Sequence, residues 1–297
     1  MLSTDDLSDP QIATILSQAE RWLTFNRRPR RNDRSLDGLT VVNAFFENST
    51  RTSLSFQIAA QRLGAQVVTM QVEQSSIRKG ETLGDTARTL NAMRPDILVI
   101  RHGTCGAPAA VAEIMDCPVI NAGDGTGEHP TQALLDAATL KHRFGRIEGL
   151  KIAICGDLAH SRVARSNARL LPRLGAEVRL AGPPSLLPPD FEGSGSIDEA
   201  VEGADVVMML RIQRERLDED LNDAPGEYLT RYGLTAERIG RAAPGAVVMH
   251  PGPINRGVEI EGALADDPER SLITLQVEMG VAVRMACLEM LTAERLA

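Results

Sequence analysis

The sequence predicts an α/β fold of two similarly wound parallel-sheet halves, and three observations carry that prediction. Strand, helix and strand follow one another twice. The string RLGAQV at 62–67 returns as RLGAEV at 173–178. Each copy also sets arginines at matching distances: Arg51 and Arg162 each stand 11 residues before their string, and Arg101 and Arg211 follow them by 50 and 49. Strand-helix-strand order is the mark of parallel α/β layers, and an internal repeat of this length reads as a repeated architectural unit.

In the first copy, LTVVNAFF (39–46) is a β-branched and aromatic run that reads as a strand. STRTSLSFQIAAQRL (49–63) has helical periodicity through Leu54, Ile58 and Leu63 and stops at Gly64. AQVVTM follows as the next strand. The second copy gives LKIAIC (150–155), a polar loop, the helix SRVARSNARLLPRL (161–174), Gly175 and the strand AEVRLAG. PDILVIR and ADVVMMLR read as later strands ending in Arg101 and Arg211. Each copy then adds a short strand and a His-Pro, PVINAGDGTGEHP with His129 and AVVMHP with His250. MGVAVRMACLEMLTAERL, near the end, reads as an amphipathic helix presenting Val281, Met285, Leu288 and Leu291.

With 297 residues, 43% of them hydrophobic, the chain has material for two cores. A net charge of −8, with Lys and Arg scattered, argues against nucleic acid or an anionic membrane as the main partner. No apolar run reaches 18 residues and the first residues are acidic, so the expected location is cytoplasmic. Cys105, Cys117, Cys155 and Cys287 show no C-x-x-C pairing, which supports neither a zinc site nor a disulfide framework. They read as buried reduced thiols.

The chemistry concentrates where strands end. Ser49, Thr50, Arg51 and Thr52 fall at a strand-to-helix turn, where unpaired N–H groups and the helix dipole favour an anion and a guanidinium adds a two-pronged donor. That turn reads as a phosphate cradle. DGTGEHPTQALLD (124–136) places His129, Thr131 and Gln132 at the start of another helix, where a neutral imidazole can donate to a carbonyl oxygen. QSSIRKGETLGD (74–85) reads as a polar loop carrying one cation, Lys79. Residues at the carboxyl ends of parallel strands, Arg101, Arg162 and Arg211 among them, stand where open sheets bind ligands.

Six ordered motifs, FFENSTRT, KGETL, HPTQALLD, GDLAHSR, LRIQRER and HPGPINRG, resemble the carbamoyltransferase family, from about Leu39 to Leu291. HPTQ at 129–132, in place of HPCQ, and HPGP at 250–253, in place of a cysteine-containing HCLP, point to its aspartate branch rather than its ornithine branch. The resemblance implies transfer of the carbamoyl group of carbamoyl phosphate to L-aspartate, an early step of de novo pyrimidine biosynthesis, with neither metal nor organic cofactor. It implies a carbamoyl phosphate domain at 1–131, rejoined by a C-terminal helix at 278–297, and an aspartate domain at 132–277, with the active site between them.

Carried over by motif, Ser49, Thr50, Arg51 and Thr52 hold the phosphate, and Arg101, His129 and Gln132 surround the carbamoyl group. The backbone of Gly252 and Pro253 contacts its amide. Arg162, Arg211 and Gln213 clamp the aspartate carboxylates. Lys79, with Ser75 or Ser76, reaches in from a neighbouring subunit, which implies a homotrimer with shared sites, alone or within a larger assembly with regulatory chains or dihydroorotase. Glu47 resembles a carboxylate that bridges to arginines of the other domain, Arg162 or Arg216. Within this scheme Arg51, Thr52, Lys79, Arg101 and His129 are the catalytic set.

Ser53 and Gln57 stand where many relatives carry a basic residue and a glutamate, both outside the contacting set. The competing readings differ in class. A nicotinamide dehydrogenase calls for G-x-G-x-x-G and a nucleoside triphosphatase for G-x-x-x-x-G-K; FFENSTR and CGDLAHSR supply neither. A silent scaffold homologue keeps the fold but loses ligands, and every position named above is filled. Ornithine as acceptor needs carboxylate partners that Arg162 and Arg211 do not provide.

Overall fold

The computed structural model describes residues 1–70, 72, 80–188, 196–212 and 225–293. Ser75, Ser76, Lys79, Gln213 and Arg216 therefore lie outside the described residues. The chain forms two compact units, Met1–Ala138 with Val277–Ala297, and Thr139–Gln276.

The first unit opens with α1 (Asp9–Asn26), whose Ser8 hydroxyl accepts from the Gln11 N–H while the Gln11 side chain returns to Ser8, a reciprocal N-terminal cap. Then come β1 (Thr40–Phe45), α2 (Thr50–Arg62), β2 (Gln66–Met70), α3 (Leu83–Ala92), β3 (Ile97–His102), α4 (Ala107–Ala112), β4 (Val119–Asp124) and α5 (Pro130–Phe144). The second unit carries β5 (Lys151–Cys155), α6 (Arg162–Arg173), β6 (Glu177–Ala181), α7 (Ile197–Val201), β7 (Val206–Met209), α8 (Pro225–Tyr232), α9 (Ala236–Ile239), β8 (Val247–Met249) and α10 (Gly262–Ala265). The last helix, α11 (Ile273–Thr292), ends the described chain.

The repeat read from RLGAQV and RLGAEV is realised in the sheets. Both are four-stranded and parallel, ordered β2-β1-β3-β4 and β6-β5-β7-β8, so the second reproduces the winding of the first. Helices cover both faces of such a sheet, which is why the inner strands are buried without alternation: Val41 to Ala44 and Val206 to Met209 are all buried. In β1, Val42 and Ala44 face a cluster with Ala87 of α3, Val111 of α4 and Met115 just beyond it, while Asn43 points to the opposite side. In the second unit, Ala153, Cys155, Val207 and Met209 pack with Ile197, Ala200 and Val201 of α7.

Two helices depart from the sequence reading. Leu54 and Ile58, the apolar positions that marked α2, are 51% and 37% exposed; the helix buries Thr52, Ser55, Phe56, Ala59 and Ala60 instead. Small side chains around the buried Phe56 let its backbone lie close to the sheet, and Leu54 and Ile58 are turned outward. For α11, the reading of a single apolar face fails: every residue from Met279 to Leu288 except Val281 is buried, Arg284 included. The helix does return to the first unit, where Arg27 pairs with Glu278 and both Arg21 and Trp22 Nε1 donate to Glu289. Such exposed pairs contribute only about 0–1 kcal/mol each. The buried middle of the helix carries the packing. Among the described residues no helix is long and apolar enough to cross a membrane.

Candidate active site

In the first unit the register of the sheet assembles the site. Phe45 pairs with Arg101 across β1 and β3, and the Phe46 N–H donates to the Arg101 carbonyl at 2.8 Å, so both strands end level. The Arg101 side chain, 12% exposed, meets Glu47 Oε1 at 2.5 Å. Within its own unit Glu47 thus engages Arg101. Ser49 takes the extended N-cap conformation of α2, but its hydroxyl makes no capping hydrogen bond. A serine kept only to cap the helix would make that bond. Arg51 is exposed in the first turn, and Thr52, behind it, is buried.

His129 enters from the other side. Its carbonyl accepts the first helical bonds of α5 from Gln132 and Ala133, at 2.9 and 3.3 Å, which fixes it as the residue preceding the helix. The imidazole is 3% exposed, with Nε2 3.5 Å from Thr52 Oγ1. The structure therefore brings Thr52 of the phosphate turn and His129 of the HPTQ loop to one place. Gln132, one turn along, donates through Nε2 to Asp136 Oδ1 at 3.0 Å. A carboxylate only accepts, so this bond settles which way the Gln132 amide faces and leaves Oε1 as its outward acceptor.

Several residues that hold this arrangement were not picked out by sequence reasoning. Glu128, directly before His129, is buried and accepts from Ser3 Oγ at 2.5 Å and from Thr4 N and Oγ1 at 3.1 and 3.0 Å. No short-range pattern announces a partnership across some 124 residues. The loop before it is pinned by Gly106 N to Asp124 Oδ1 and by Gly125 N to the His102 carbonyl, both 2.8 Å. Gly125 has φ +50°, and a Cβ there would stand 2.7 Å from Cys105 Sγ, so only glycine fits. Cys105 itself is exposed, against the expectation of four buried thiols. Its thiol pKa is lowered, chiefly by the Thr126 hydroxyl and then by backbone N–H groups of the same loop.

Arg284 of α11 is the other unforeseen member. It is fully buried, its Cζ 4.9 Å over the Phe56 ring, and its Nη1 donates to the Gly280 carbonyl at 3.0 Å. Burial brings its pKa down to about 10, opposed by Cys287 and Asp136. A signal was present in the sequence: HPTQALLD ends in an acid on a helix that proves buried on all sides from Pro130 to Leu140, and a buried acid calls for a buried base.

In the second unit, α6 begins one residue after Ser161, whose hydroxyl caps it through the Ala164 N–H at 3.1 Å. Arg162 is thereby the first helical residue and half-buried. Leu210 N donates to the Cys155 carbonyl at 2.8 Å, extending the β5–β7 ladder, and Arg211 follows, exposed. Gly252 and Pro253, joined by a cis peptide, lie in the loop after β8. Asn255 of that loop donates through Nδ2 to the carbonyl of Ile212, next to Arg211, at 2.8 Å.

Two parallel α/β units with basic residues and hydroxyls where their strands end define a class of α/β protein suited to anionic ligands, and the comparisons narrow it. Residues 1–142 match the aspartate/ornithine carbamoyltransferase carbamoyl-P binding domain, and residues 148–291 match the Asp/Orn binding domain. The chain is 60% identical to the aspartate carbamoyltransferase catalytic subunit of Rhizorhabdus wittichii, over 97% of this chain and 93% of that one. Aspartate transcarbamoylase from Trypanosoma cruzi, solved with carbamoyl aspartate and phosphate, superposes with a TM-score of 0.86 at 33% identity, covering 97% and 94% of the two chains. The catalytic subunit of M. jannaschii aspartate transcarbamoylase gives 0.85 at 34%, covering 99% and 98%. The chain belongs to the aspartate/ornithine carbamoyltransferase family.

Proposed function

We propose that the first unit binds carbamoyl phosphate, that the second binds L-aspartate, and that the chain transfers the carbamoyl group to the aspartate amine with release of phosphate. The observation that carries this reading is the approach of His129 Nε2 to Thr52 Oγ1 at 3.5 Å, which sets the imidazole and the phosphate turn against one small ligand.

Ser49, Thr50, Arg51 and Thr52 hold the phosphate at the N-terminus of α2, where the helix dipole adds to the charge of Arg51. Arg101 and His129 donate to the carbamoyl oxygen, and Gln132 Oε1 accepts from the carbamoyl amine, the donor end of the substrate. Glu47 keeps the Arg101 guanidinium aimed at the end of β3 until a substrate oxygen replaces it. Gly252 and Pro253 complete the contacts through their backbone. Arg162 and Arg211, with Gln213, hold the two carboxylates of aspartate.

The amine attacks the carbamoyl carbon, the carbonyl oxygen gains negative charge, and the C–O bond to phosphate breaks. Arg51, Arg101 and His129 stabilise the oxyanion, Arg51, Thr52 and Lys79 the departing phosphate, and the amine proton leaves with phosphate. Lys79, with Ser75 or Ser76, is supplied by a neighbouring copy of the chain in a cytoplasmic homotrimer. The exposed Leu54 and Ile58, one turn apart on α2, and Val68 on the edge strand β2 support a covered surface on this unit.

Phosphate release from carbamoyl phosphate and L-aspartate tests the reading with Arg51→Ala as the control. Loss of such an oxyanion and phosphate donor lowers the rate on the order of a hundredfold or more. A variant as active as the parent would remove the phosphate turn from the mechanism.

A further inference from the structure

The repeat places a His-Pro after the last strand of each unit, yet the two histidines do different work. His129 faces the phosphate turn. The His250 side chain is 0% exposed. Its Nδ1 accepts from the Gly252 N–H at 2.8 Å, and a nitrogen that accepts carries no proton. The proton of the neutral ring is therefore on Nε2, which donates to Glu259 Oε1 at 3.2 Å. The same carboxylate oxygen accepts the Asn255 N–H at 2.5 Å, and the backbone N–H of His250 is held by Gln276 Oε1 at 3.0 Å. Asn255 in turn holds the carbonyl of Ile212 through Nδ2.

We infer that His250 and Glu259 form a clasp that positions Gly252 and Pro253 for the carbamoyl amide and ties their loop to the strand end carrying Arg211. Each ring nitrogen has one fixed role, so the pair holds the turn in one geometry without touching substrate. Glu259 orients the imidazole, and the imidazole orients the turn. Both are positioning residues, and the inference rests on the substrate roles proposed above for Gly252 and Pro253.

The test uses the full chain with Glu259→Gln as the background, so that no variant leaves a bare buried carboxylate. His250→Asn puts an amide oxygen where Nδ1 stands and keeps the acceptor for Gly252. His250→Gln puts an amide where Nε2 stands, keeps the bond toward position 259 and abandons Gly252. Each loses one of two hydrogen bonds, so a merely structural role penalises both alike in urea midpoint and in KM. The clasp predicts a KM for carbamoyl phosphate about tenfold or more higher in the Gln variant than in the Asn variant, at similar urea midpoints. Equal KM values overturn it.

A second readout is independent of activity: with 15N-histidine labelling, the wild-type chain gives His250, identified by its loss in the His250→Asn variant, as the tautomer protonated at Nε2. An imidazole protonated at Nδ1 overturns the clasp even if the enzyme turns over. Failure of the wild-type chain to consume carbamoyl phosphate, with the Nε2 tautomer present, instead overturns the substrate roles and leaves the His250–Glu259 geometry standing.

Discussion

Individual residues divide into those the motifs disclose and those only the fold does. Arg51, Thr52, Arg101 and His129 stand out in the sequence because the chemistry of a phosphate and a carbonyl calls for such donors where strands end. Asp136 and Glu128 were not, since each acts by holding a neighbour and their partners come from elsewhere in the fold. Asp136→Asn tests this at Gln132: an amide presents a donor as readily as an acceptor, so Gln132 loses its fixed orientation. The expected result is a fall in kcat/KM for carbamoyl phosphate of roughly tenfold, from initial rates at fixed aspartate; an unchanged value would show that Gln132 is oriented by other means. Cys105 gives a second residue-level prediction. In the native protein iodoacetamide modifies this exposed thiol well ahead of the three buried ones, Cys117, Cys155 and Cys287. Thiolate is the reactive form, so a lowered pKa moves the rise of its rate to lower pH than for a free thiol. Thr126→Val, which removes the largest cause, moves that rise back upward. Burial pushes Cys155 and Cys287 up to about 12, and they stay inert across the same range.

The eight strands and the helices α2, α5, α6 and α11 were legible in existence and order, the faces these helices bury less so. The strand-helix-strand pattern gave α2 and α6 to within a residue, because Gly64 and Gly175 stop both helices with φ near +85°. The apolar spacing misled on α2, where Leu54 and Ile58 point outward. Periodicity counts large apolar residues and is blind to a close-packed face of Ala and Ser. In α11 it was misled in the opposite sense, since a helix enclosed on all sides carries no contrast between faces. Gly280 marks how tight that enclosure is: a Cβ would stand 2.7 Å from Arg284 Nη1 and 3.3 Å from Leu135 Cδ2. Gly280→Ala gains about 1 kcal/mol in helix propensity, whereas overpacking costs ~1–3 kcal/mol and here also disturbs a buried guanidinium. The crowding outweighs the propensity, and the urea midpoint falls. A higher midpoint would mean that Arg284 retreats freely from Gly280.

At the scale of the whole molecule, the duplicated winding was legible because two copies of one pattern constrain each other, whereas the strand orders β2-β1-β3-β4 and β6-β5-β7-β8 came only with the structure. What the sequence does not spell out is its assembly, since the exposure of Leu54, Ile58 and Val68 emerges only once the chain is folded. The proposed homotrimer predicts a sedimentation mass about three times that of the chain, and Leu54→Lys with Ile58→Lys shifts it toward monomer while lowering activity, because Lys79 then no longer reaches a neighbouring site. A monomeric and fully active wild-type chain would contradict shared sites. Acceptor choice is proposed to lie in the second unit, where Arg162 and Arg211, each following a strand, select an acceptor with two carboxylates. The most direct measurement is carbamoyl transfer with L-aspartate and L-ornithine offered in parallel. Turnover with aspartate alone, its KM raised sharply by Arg211→Ala, is the predicted result; turnover with ornithine, or indifference to Arg211, would contradict it.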